Sequence, residues 1–358
     1  MNTPISKRLT AALVVFLSGF WLSGCSEPDA AEGMNGAVAV RTLRYATPYG
    51  PTHPFSRGDA AWIRYVENAS HHRLRIEPYW GGSLMDESDS VRELAAGVAD
   101  VSYIVPIYQR AGAHFIRGQT PFYDGASDMH LQNQVLLTLW QDFPSLREEL
   151  ASVKPLVVTG GSFLEVMTRD RPVRNLEDLK GLRLRAPAEI TAVLNTLGVD
   201  AEFMPMGEVY TALAKGTIDG VIAPVDTLKS MRFAEVIRHC TLLSIARGAY
   251  YSRAMNLDSW QRLPPDLQQV ITDSIPVWTE AVITELTQAR AGGFRLGKDS
   301  GVEFIELPAQ DVQRFREVYA GMATQHAEDL EARGLPGLKA YARAQEVIAA
   351  AAEFSVAQ

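Results

Sequence analysis

Short apolar strands alternate with amphipathic helices along most of this chain, and this alternation restricts the fold more than any other feature. Arg41–Thr47 and Val101–Val105 have the composition of strands. Between them, Trp62 and Val66 stand at helical spacing, and a long helical pattern covers about Ala309–Glu331. Strands that alternate with helices build sheets covered by helices. The sequence therefore predicts an α/β protein.

One basic residue stands where a predicted strand ends and a helix begins. Leu182–Arg185 alternates apolar and basic residues, and Pro187 favours the first turn of a helix. Open α/β sheets bind ligands at the carboxyl ends of their strands, where a guanidinium can hold a carboxylate through two hydrogen bonds. Arg185 is therefore a candidate ligand-binding residue. From the spacing alone, a surface arginine is the simpler interpretation, and we expect a surface or lobe-stabilising role for Arg183.

An ordered set of short motifs resembles the substrate-binding proteins of tripartite ATP-independent periplasmic (TRAP) transporters. The motifs are Pro51–Pro54, Gly82–Met85, Ala96–Asp100, Glu177–Pro187, Glu208–Tyr210, Ile218–Gly220 and Met255–Asn256. The resemblance implies a two-lobed periplasmic binding protein, with a ligand cleft between the lobes and chain crossovers at the hinge. It implies that a central arginine holds the carboxylate of an organic acid, and Arg185 falls at that position. It also implies a receptor, not an enzyme, that delivers its ligand to a TRAP-type permease with a small and a large integral subunit.

Several positions depart from the family's polar pattern in the same direction. Where relatives often carry an arginine, an asparagine or an aromatic residue, this chain has Leu164, Ala223 and Met206, and Val105 lacks the carboxylate found near it in sugar-acid receptors. Burying ligand hydroxyls against such side chains would cost on the order of 1–3 kcal/mol each, and an unpaired second carboxylate would cost more. We therefore expect a monocarboxylate with an apolar or aromatic body. A C4-dicarboxylate stays the alternative, because other residues could supply the missing polar groups.

Other aromatic and acidic residues are weaker candidates. Tyr49 and Tyr103 follow or end predicted strands and could face the ligand, although such residues more often pack in a core. Glu165 could orient Arg185, but a solvent-facing glutamate is the simpler expectation. The acidic run Asp86–Asp89 lacks the calcium-loop pattern and more plainly favours the start of the next helix. The sequence predicts no metal and no cofactor.

The first residues have the pattern of an export signal. Ala11–Trp21 is an apolar run that is short for a membrane span, and Leu22–Cys25 matches a bacterial lipobox. We therefore expect a lipoprotein signal peptide at 1–24, a lipidated Cys25 and a flexible tether at 25–40. The predicted location is periplasmic, with a lipid anchor as the attachment to the membrane. A sensor or scaffold lipoprotein on the same fold is a further alternative.

Charge and length set the remaining expectations. The chain has 34 basic and 42 acidic residues, a balance that does not suit a nucleic-acid partner. Its 358 residues are enough for two lobes. We predict a first lobe from 41–160 plus about 249–290, and a second from 161–248 plus about 291–358.

Overall fold

The strands and helices alternate along the chain. A computed structural model describes residues 40–109, 111–187 and 190–356. Its strands are β1 (Arg41–Ala46), β2 (Leu74–Tyr79), β3 (Val101–Tyr103), β4 (Val153–Gly160), β5 (Leu164–Thr168), β6 (Arg183–Arg185), β7 (Asp200–Glu202), β8 (Gly220–Pro224), β9 (His239–Ile245), β10 (Ala249–Asn256) and β11 (Glu303–Glu306). Its helices are α1 (Pro54–Ala69), α2 (Ser90–Ala95), α3 (His114–Gly118), α4 (Met129–Asp142), α5 (Pro144–Glu148), α6 (Thr191–Thr196), α7 (Met206–Lys215), α8 (Thr227–Ser230), α9 (Leu257–Gln261), α10 (Pro265–Asp299), α11 (Ala309–Glu331) and α12 (Gly337–Val356).

The strands form two separate sheets, one for each lobe. The first has the order β2-β1-β3-β10-β4, and the second has the order β11-β9-β5-β8-β6-β7. In the first sheet β1 runs parallel to β2 and β3, and in the second β6 runs parallel to β7 and β8. The carboxyl ends of these parallel strands therefore lie at one edge of each sheet. The predicted α/β class is confirmed.

Helix α10 packs against both lobes. Near its middle, Val282 contacts Gly58 of α1, where an added Cβ would lie 2.8 Å from a Val282 methyl group. Farther along, an added Cβ at Gly293 would meet the carbonyl oxygen of Val225, the residue that follows β8, at 2.3 Å. Stacked indole rings, Trp62 and Trp278, seal the contact with α1 at a centroid distance of 3.7 Å. One continuous helix thus supports both lobes.

Two further segments cross between the sheets side by side. Residues 161–163 connect β4 to β5, and residues 246–248 connect β9 to β10. The Gly161 amide donates to the Gly248 carbonyl at 2.8 Å, which joins the two crossings. These segments are the structural counterpart of the predicted crossovers at the hinge.

The exact limits of the lobes stay a prediction. The limit near residue 290 falls inside α10, which leaves no break in the chain there. Helix α12, which the predicted limits group with the second lobe, packs its Ala344 and Val347 in the same core as Leu131 and Val135 of α4. We propose to group α12 with the first lobe.

The N-terminal predictions concern residues beyond those described. The signal peptide, the lipidation of Cys25 and the tether up to residue 39 all lie outside the described residues. In the described part of the chain, no helix combines the length and the apolar character that a membrane crossing requires.

Candidate functional site

Residues from both lobes and from the crossing segments enclose a small cavity. Tyr49 and Phe55 come from the first lobe, Met206 and Asp226 from the second, and Arg247 from the crossing between β9 and β10. The cavity has a volume of about 50 Å³, on the scale of a few water molecules. The lobes are therefore close together here, and an organic acid would enter only when they separate.

Arg185 is buried at the carboxyl end of β6, with about 1% of its surface exposed. Its Nε donates to the Met204 carbonyl at 2.9 Å, and its Nη1 donates to the Ile222 carbonyl at 3.5 Å. Its Nη2 has no hydrogen-bond acceptor, and no carboxylate lies within ion-pair distance among residues 40–109, 111–187 and 190–356. This buried guanidinium therefore keeps a donor and a charge that these residues do not pair, which is costly unless a ligand supplies an anion.

Aromatic rings from the two lobes meet beside this guanidinium. Phe203, between β7 and α7, has its ring centre 6.0 Å from the Arg185 Cζ atom. The same ring lies 5.2 Å from that of Tyr108, which follows β3 in the first lobe. Phe203 is 42% exposed, so a large apolar surface stays accessible next to a cation. Such a pairing suits a carboxylate attached to an apolar body.

The sequence analysis did not select three charged residues at or beside the cavity: Asp226 and Arg247, which line it, and Glu87, which contacts Tyr49 of its wall. Glu87, in the loop after β2, accepts a hydrogen bond from the Tyr49 hydroxyl at 3.4 Å. Burial raises the pKa of Glu87, while Arg247, the Tyr49 hydroxyl and Arg185 lower it. Both guanidinium groups therefore act on this one carboxylate. Glu87 lies in the loop after the carboxyl end of β2, a parallel strand, and ligands bind beside such loops, which is the signal that could have selected it.

Arg247 lies in the crossing segment at the base of the cleft. Its side chain packs against Gly161 of the neighbouring crossing, where an added Cβ would come within 2.5 Å of the Arg247 Cβ. Burial raises the pKa of Glu87, Asp226, Tyr49 and Tyr250, which come from both lobes, and the charge of Arg247 opposes that rise in each of them. A glycine at position 161 is thus what allows this cation to lie across the hinge.

Glu165 has a different role from either expectation. It is fully buried, and its Oε2 accepts the amide hydrogens of Leu243 and Ser244, each at 2.8 Å. Its Oε1 lies 3.2 Å from Nη2 of Arg290 on α10. Glu165 therefore fixes the end of β9 to the long helix, and it neither faces solvent nor forms an ion pair with Arg185.

The structure distributes the other predicted site residues between the cavity and the cores. Tyr49 and Met206 line the cavity. Tyr103 lies behind Tyr49, edge-on at 5.2 Å between ring centres. The remaining three are each no more than 2% exposed in this arrangement: Val105, Leu164 and Ala223. Ligand contact by any of these residues stays a prediction.

The described residues show no arrangement suited to a metal ion. Within these ranges, no group of three or more His, Cys, Asp or Glu side chains is placed to hold one. In the acidic run after β2, Asp86 accepts the Ser88 amide hydrogen at 2.8 Å, as a carboxylate does in a turn. Cys240 is buried, and burial raises the pKa of its thiol, as expected for an inert core cysteine.

Two α/β lobes, crossing segments between them and a buried cation beside the cleft define a two-lobed periplasmic binding protein. Comparison with known proteins narrows this class. The chain belongs to the bacterial extracellular solute-binding protein family 7 (DctP), whose profile matches residues 46–329. The resemblance to TRAP solute-binding proteins and the two-lobed fold are therefore confirmed.

Two curated relatives carry different ligand names. The C4-dicarboxylate-binding periplasmic protein DctP of Rhodobacter capsulatus is 22% identical over 94% of this chain and 98% of its own length. A monocarboxylate 2-oxoacid-binding periplasmic protein of Nostoc sp. is 30% identical over 80% of this chain and 76% of its own length. These names belong to the relatives and differ in the number of carboxylates bound.

Two solved structures share the fold. A TRAP solute-binding protein from Rhodoferax ferrireducens, in complex with copurified benzoate, has a TM-score of 0.78 and 24% identity, covering 88% of this chain and all of that one. A TRAP periplasmic solute-binding protein from Bordetella bronchiseptica, with bound mandelate, has a TM-score of 0.77 and 18% identity, covering 86% of this chain and 98% of that one. At these sequence identities, the similarity to the two structures establishes a shared fold and does not establish a shared ligand.

Proposed function

We propose that this protein is a receptor for a monocarboxylate with an apolar or aromatic body. The observation that carries the proposal is the buried guanidinium of Arg185, which has no carboxylate within ion-pair distance among the described residues and whose Nη2 has no acceptor there. A ligand carboxylate would accept from it and neutralise the charge, and lobe closure would exclude water and strengthen the ion pair. Phe203, Tyr108 and Tyr49 would then enclose the body of the ligand.

The named ligands of similar proteins support this class of acid. The Nostoc relative is named for monocarboxylate 2-oxoacids, and the two solved structures hold benzoate and mandelate. Each of these is a single carboxylate on a compact body. The Rhodobacter relative, named for C4-dicarboxylates, supports the second candidate, and Arg247 favours it too because it adds a second cation to the cleft.

The transport step follows from the family. The closed receptor would carry its acid to a TRAP-type permease with a small and a large integral subunit. We propose that it does so from the periplasm, held at the membrane by a lipid on Cys25. Replacing Cys25 with serine is expected to release the protein from membranes, and unchanged membrane retention would contradict the anchor.

A ligand screen with two matched arginine variants tests the proposal. Thermal unfolding of the purified protein would be followed with monocarboxylates such as benzoate, mandelate and pyruvate, and with succinate and malate. A ligand present at 100 times its Kd stabilises the folded state by roughly 2.7 kcal/mol. The shift is expected with monocarboxylates, to disappear in Arg185→Ala and to persist in Arg183→Ala, which removes an exposed arginine from the same strand.

Three outcomes would contradict it. A larger shift with the dicarboxylates would assign the protein to the second candidate. A shift that survives Arg185→Ala would mean that another residue holds the carboxylate. The absence of a shift with every acid, in a folded protein, would reject an organic-acid receptor of this kind.

A further inference from the structure

We infer that Phe203 and Tyr108 form a latch between the lobes: their rings meet once the cleft has closed, and this contact slows the release of the bound acid. The inference rests on the proposed function, since it assumes that an organic acid binds at Arg185. It goes further because it assigns the lifetime of the complex to two side chains that act through their contact with each other.

Phe203 is held in place by the arginine that we propose binds the ligand. It lies between β7 and α7, and the residue on each side of it is fixed to β6. Glu202 pairs with Arg185 in the sheet, and the Met204 carbonyl accepts from the Arg185 Nε at 2.9 Å. The Phe203 ring centre lies 6.0 Å from the Arg185 Cζ atom. The backbone that carries this ring is therefore fixed relative to the guanidinium.

Tyr108 is held in a similar way on the opposite lobe. It ends a short 3-10 turn, Pro106–Tyr108, whose first two residues are buried. The Val105 amide, just before this turn, donates to the Ser90 hydroxyl at 3.0 Å, and the Tyr108 amide donates to the Val105 carbonyl at 3.0 Å. The Tyr108 side chain packs against the core of the first lobe. Each ring of the latch is thus attached to a fixed part of its own lobe.

The two rings meet edge to face between the lobes. Their centres are 5.2 Å apart and their planes are inclined at 67°, a favourable arrangement for an aromatic pair. Among the side chains that the structure describes, Phe203 is the only exposed aromatic one, and Tyr108 is half-buried. Separation of the lobes would break the contact and expose more of both rings to water. The contact therefore stabilises the closed arrangement and is absent from an open one.

Such a contact acts on the release of the ligand and not on its entry. The acid enters while the lobes are apart and the rings do not touch, so the latch leaves the association rate unchanged. Release requires the lobes to separate again, and the ring contact must break before they do. An edge-to-face aromatic pair changes an equilibrium constant by about 3- to 10-fold, so loss of the latch should raise the dissociation rate by that factor. The factor should be similar for monocarboxylates and dicarboxylates, because the rings act on the lobes.

A double-mutant cycle on ligand release tests the latch. The variants are Phe203→Leu, Tyr108→Leu and the two combined, since leucine removes the ring and keeps an apolar side chain. The matched control is the cycle of Phe122→Leu with Tyr341→Leu, a phenylalanine–tyrosine pair 5.1 Å apart whose members both pack in the first-lobe core. Stopped-flow fluorescence would give the dissociation rate, and calorimetry the Kd, for mandelate and for succinate. Urea unfolding would verify that every variant is folded.

We expect each single variant of the latch to raise the dissociation rate by about 3- to 10-fold, with an association rate within about twofold of wild type. The double variant should release the acid no more than about twofold faster than either single variant, because the contact is already lost. The control pair should show no coupling.

Three outcomes would overturn the latch while the proposed function stands. The first is an unchanged dissociation rate in the single variants. The second is a pair of effects that multiply in the double variant, which would show that each ring acts on the acid separately. The third is a coupling in the control as large as that of the latch. A wild type that binds no acid would overturn the proposed function together with this inference.

Discussion

Each lobe buries one arginine on a strand. The arginine of the first lobe forms an ion pair with a carboxylate, and the arginine of the second lobe does not. In the first lobe, Arg253 of β10 is fully buried, and its Nη2 lies 2.9 Å from Oδ1 of an equally buried Asp59. The ring of Tyr103 lies 4.8 Å from its Cζ atom, and the rings of Phe55 and Trp278 lie within 6 Å. In the second lobe, Arg185 is buried with backbone carbonyls as its acceptors and no carboxylate at ion-pair distance in the described residues.

The difference separates a structural charge from a functional one. A buried cation costs free energy wherever it lies, and a fixed partner compensates for that cost in the folded state. Asp59 compensates Arg253 at all times, and Asp59 also accepts from the Trp278 indole nitrogen at 2.8 Å. Arg185 lacks such a partner among the described residues, so a negatively charged ligand offsets the free-energy cost of its buried charge. Neither burial nor an Nη2 without a hydrogen-bond acceptor, which Arg253 has as well, identifies a binding arginine, whereas the missing carboxylate does.

The largest expected effect is on the stability of the first lobe. Asp59→Asn would leave Arg253 buried without its counter-charge, so we expect the free energy of unfolding to fall by about 3–5 kcal/mol. Urea unfolding at constant pH measures this change. The double variant Asp59→Leu with Arg253→Met removes both charges and should recover much of the loss. A single variant as stable as wild type would contradict the pairing.

The corresponding change in the second lobe should affect binding and leave stability nearly intact. In Arg185→Met the free energy of unfolding should stay within about 1 kcal/mol of wild type, because no carboxylate loses a partner. The ligand-induced stabilisation, roughly 2.7 kcal/mol at 100 times Kd, should disappear. Unfolding with and without ligand separates the two effects. A loss of stability as large as that in Asp59→Asn would make Arg185 a structural residue like Arg253.

The buried carboxylate of Asp226 should make the free energy of unfolding depend on pH. Burial raises the pKa of Asp226 to about 6, above its unfolded value of about 3.9, so the folded state binds the proton more tightly. Stability from this group is therefore lost as pH rises through 6, by about 2 kcal/mol between pH 4.5 and 7.5. Asp226→Asn should lack this loss. Parallel pH dependences in wild type and the variant, measured by urea unfolding, would show that Asp226 titrates normally.

The smallest effect should come from the arginine two residues before Arg185. Arg183 pairs with Asp219 at 2.7 Å, but both side chains are partly exposed, so water and salt screen the pair. Arg183→Gln should move the thermal midpoint by less than about 2 °C, and raising the salt concentration should shrink the difference further. A shift as large as that of Asp59→Asn would mean that exposure does not separate structural from surface pairs here.

Local patterns were enough to predict the elements that carry the fold. Helix α11 covers Ala309–Glu331, the range that the helical spacing indicates, and β1 begins at Arg41 as predicted. The strand pattern did not reveal β9 or β11, because His239, Ser244 and Glu303 interrupt their apolar runs with polar residues. These two strands form because their backbones pair with neighbouring strands, and such pairing does not require a strict alternation of apolar and polar residues.

The sequence by itself determined the α/β class, the family resemblance and the candidacy of Arg185, because periodicity and turn residues act over a few positions. Only the tertiary structure decided that Glu165 fixes the end of β9 to α10 and that Arg185 lacks a carboxylate partner in the described chain. It also decided that Glu87 and Arg247, 160 positions apart in sequence, act on one another in the cleft. Burial and charge pairing depend on which chain segments converge in space, and no local pattern encodes that convergence.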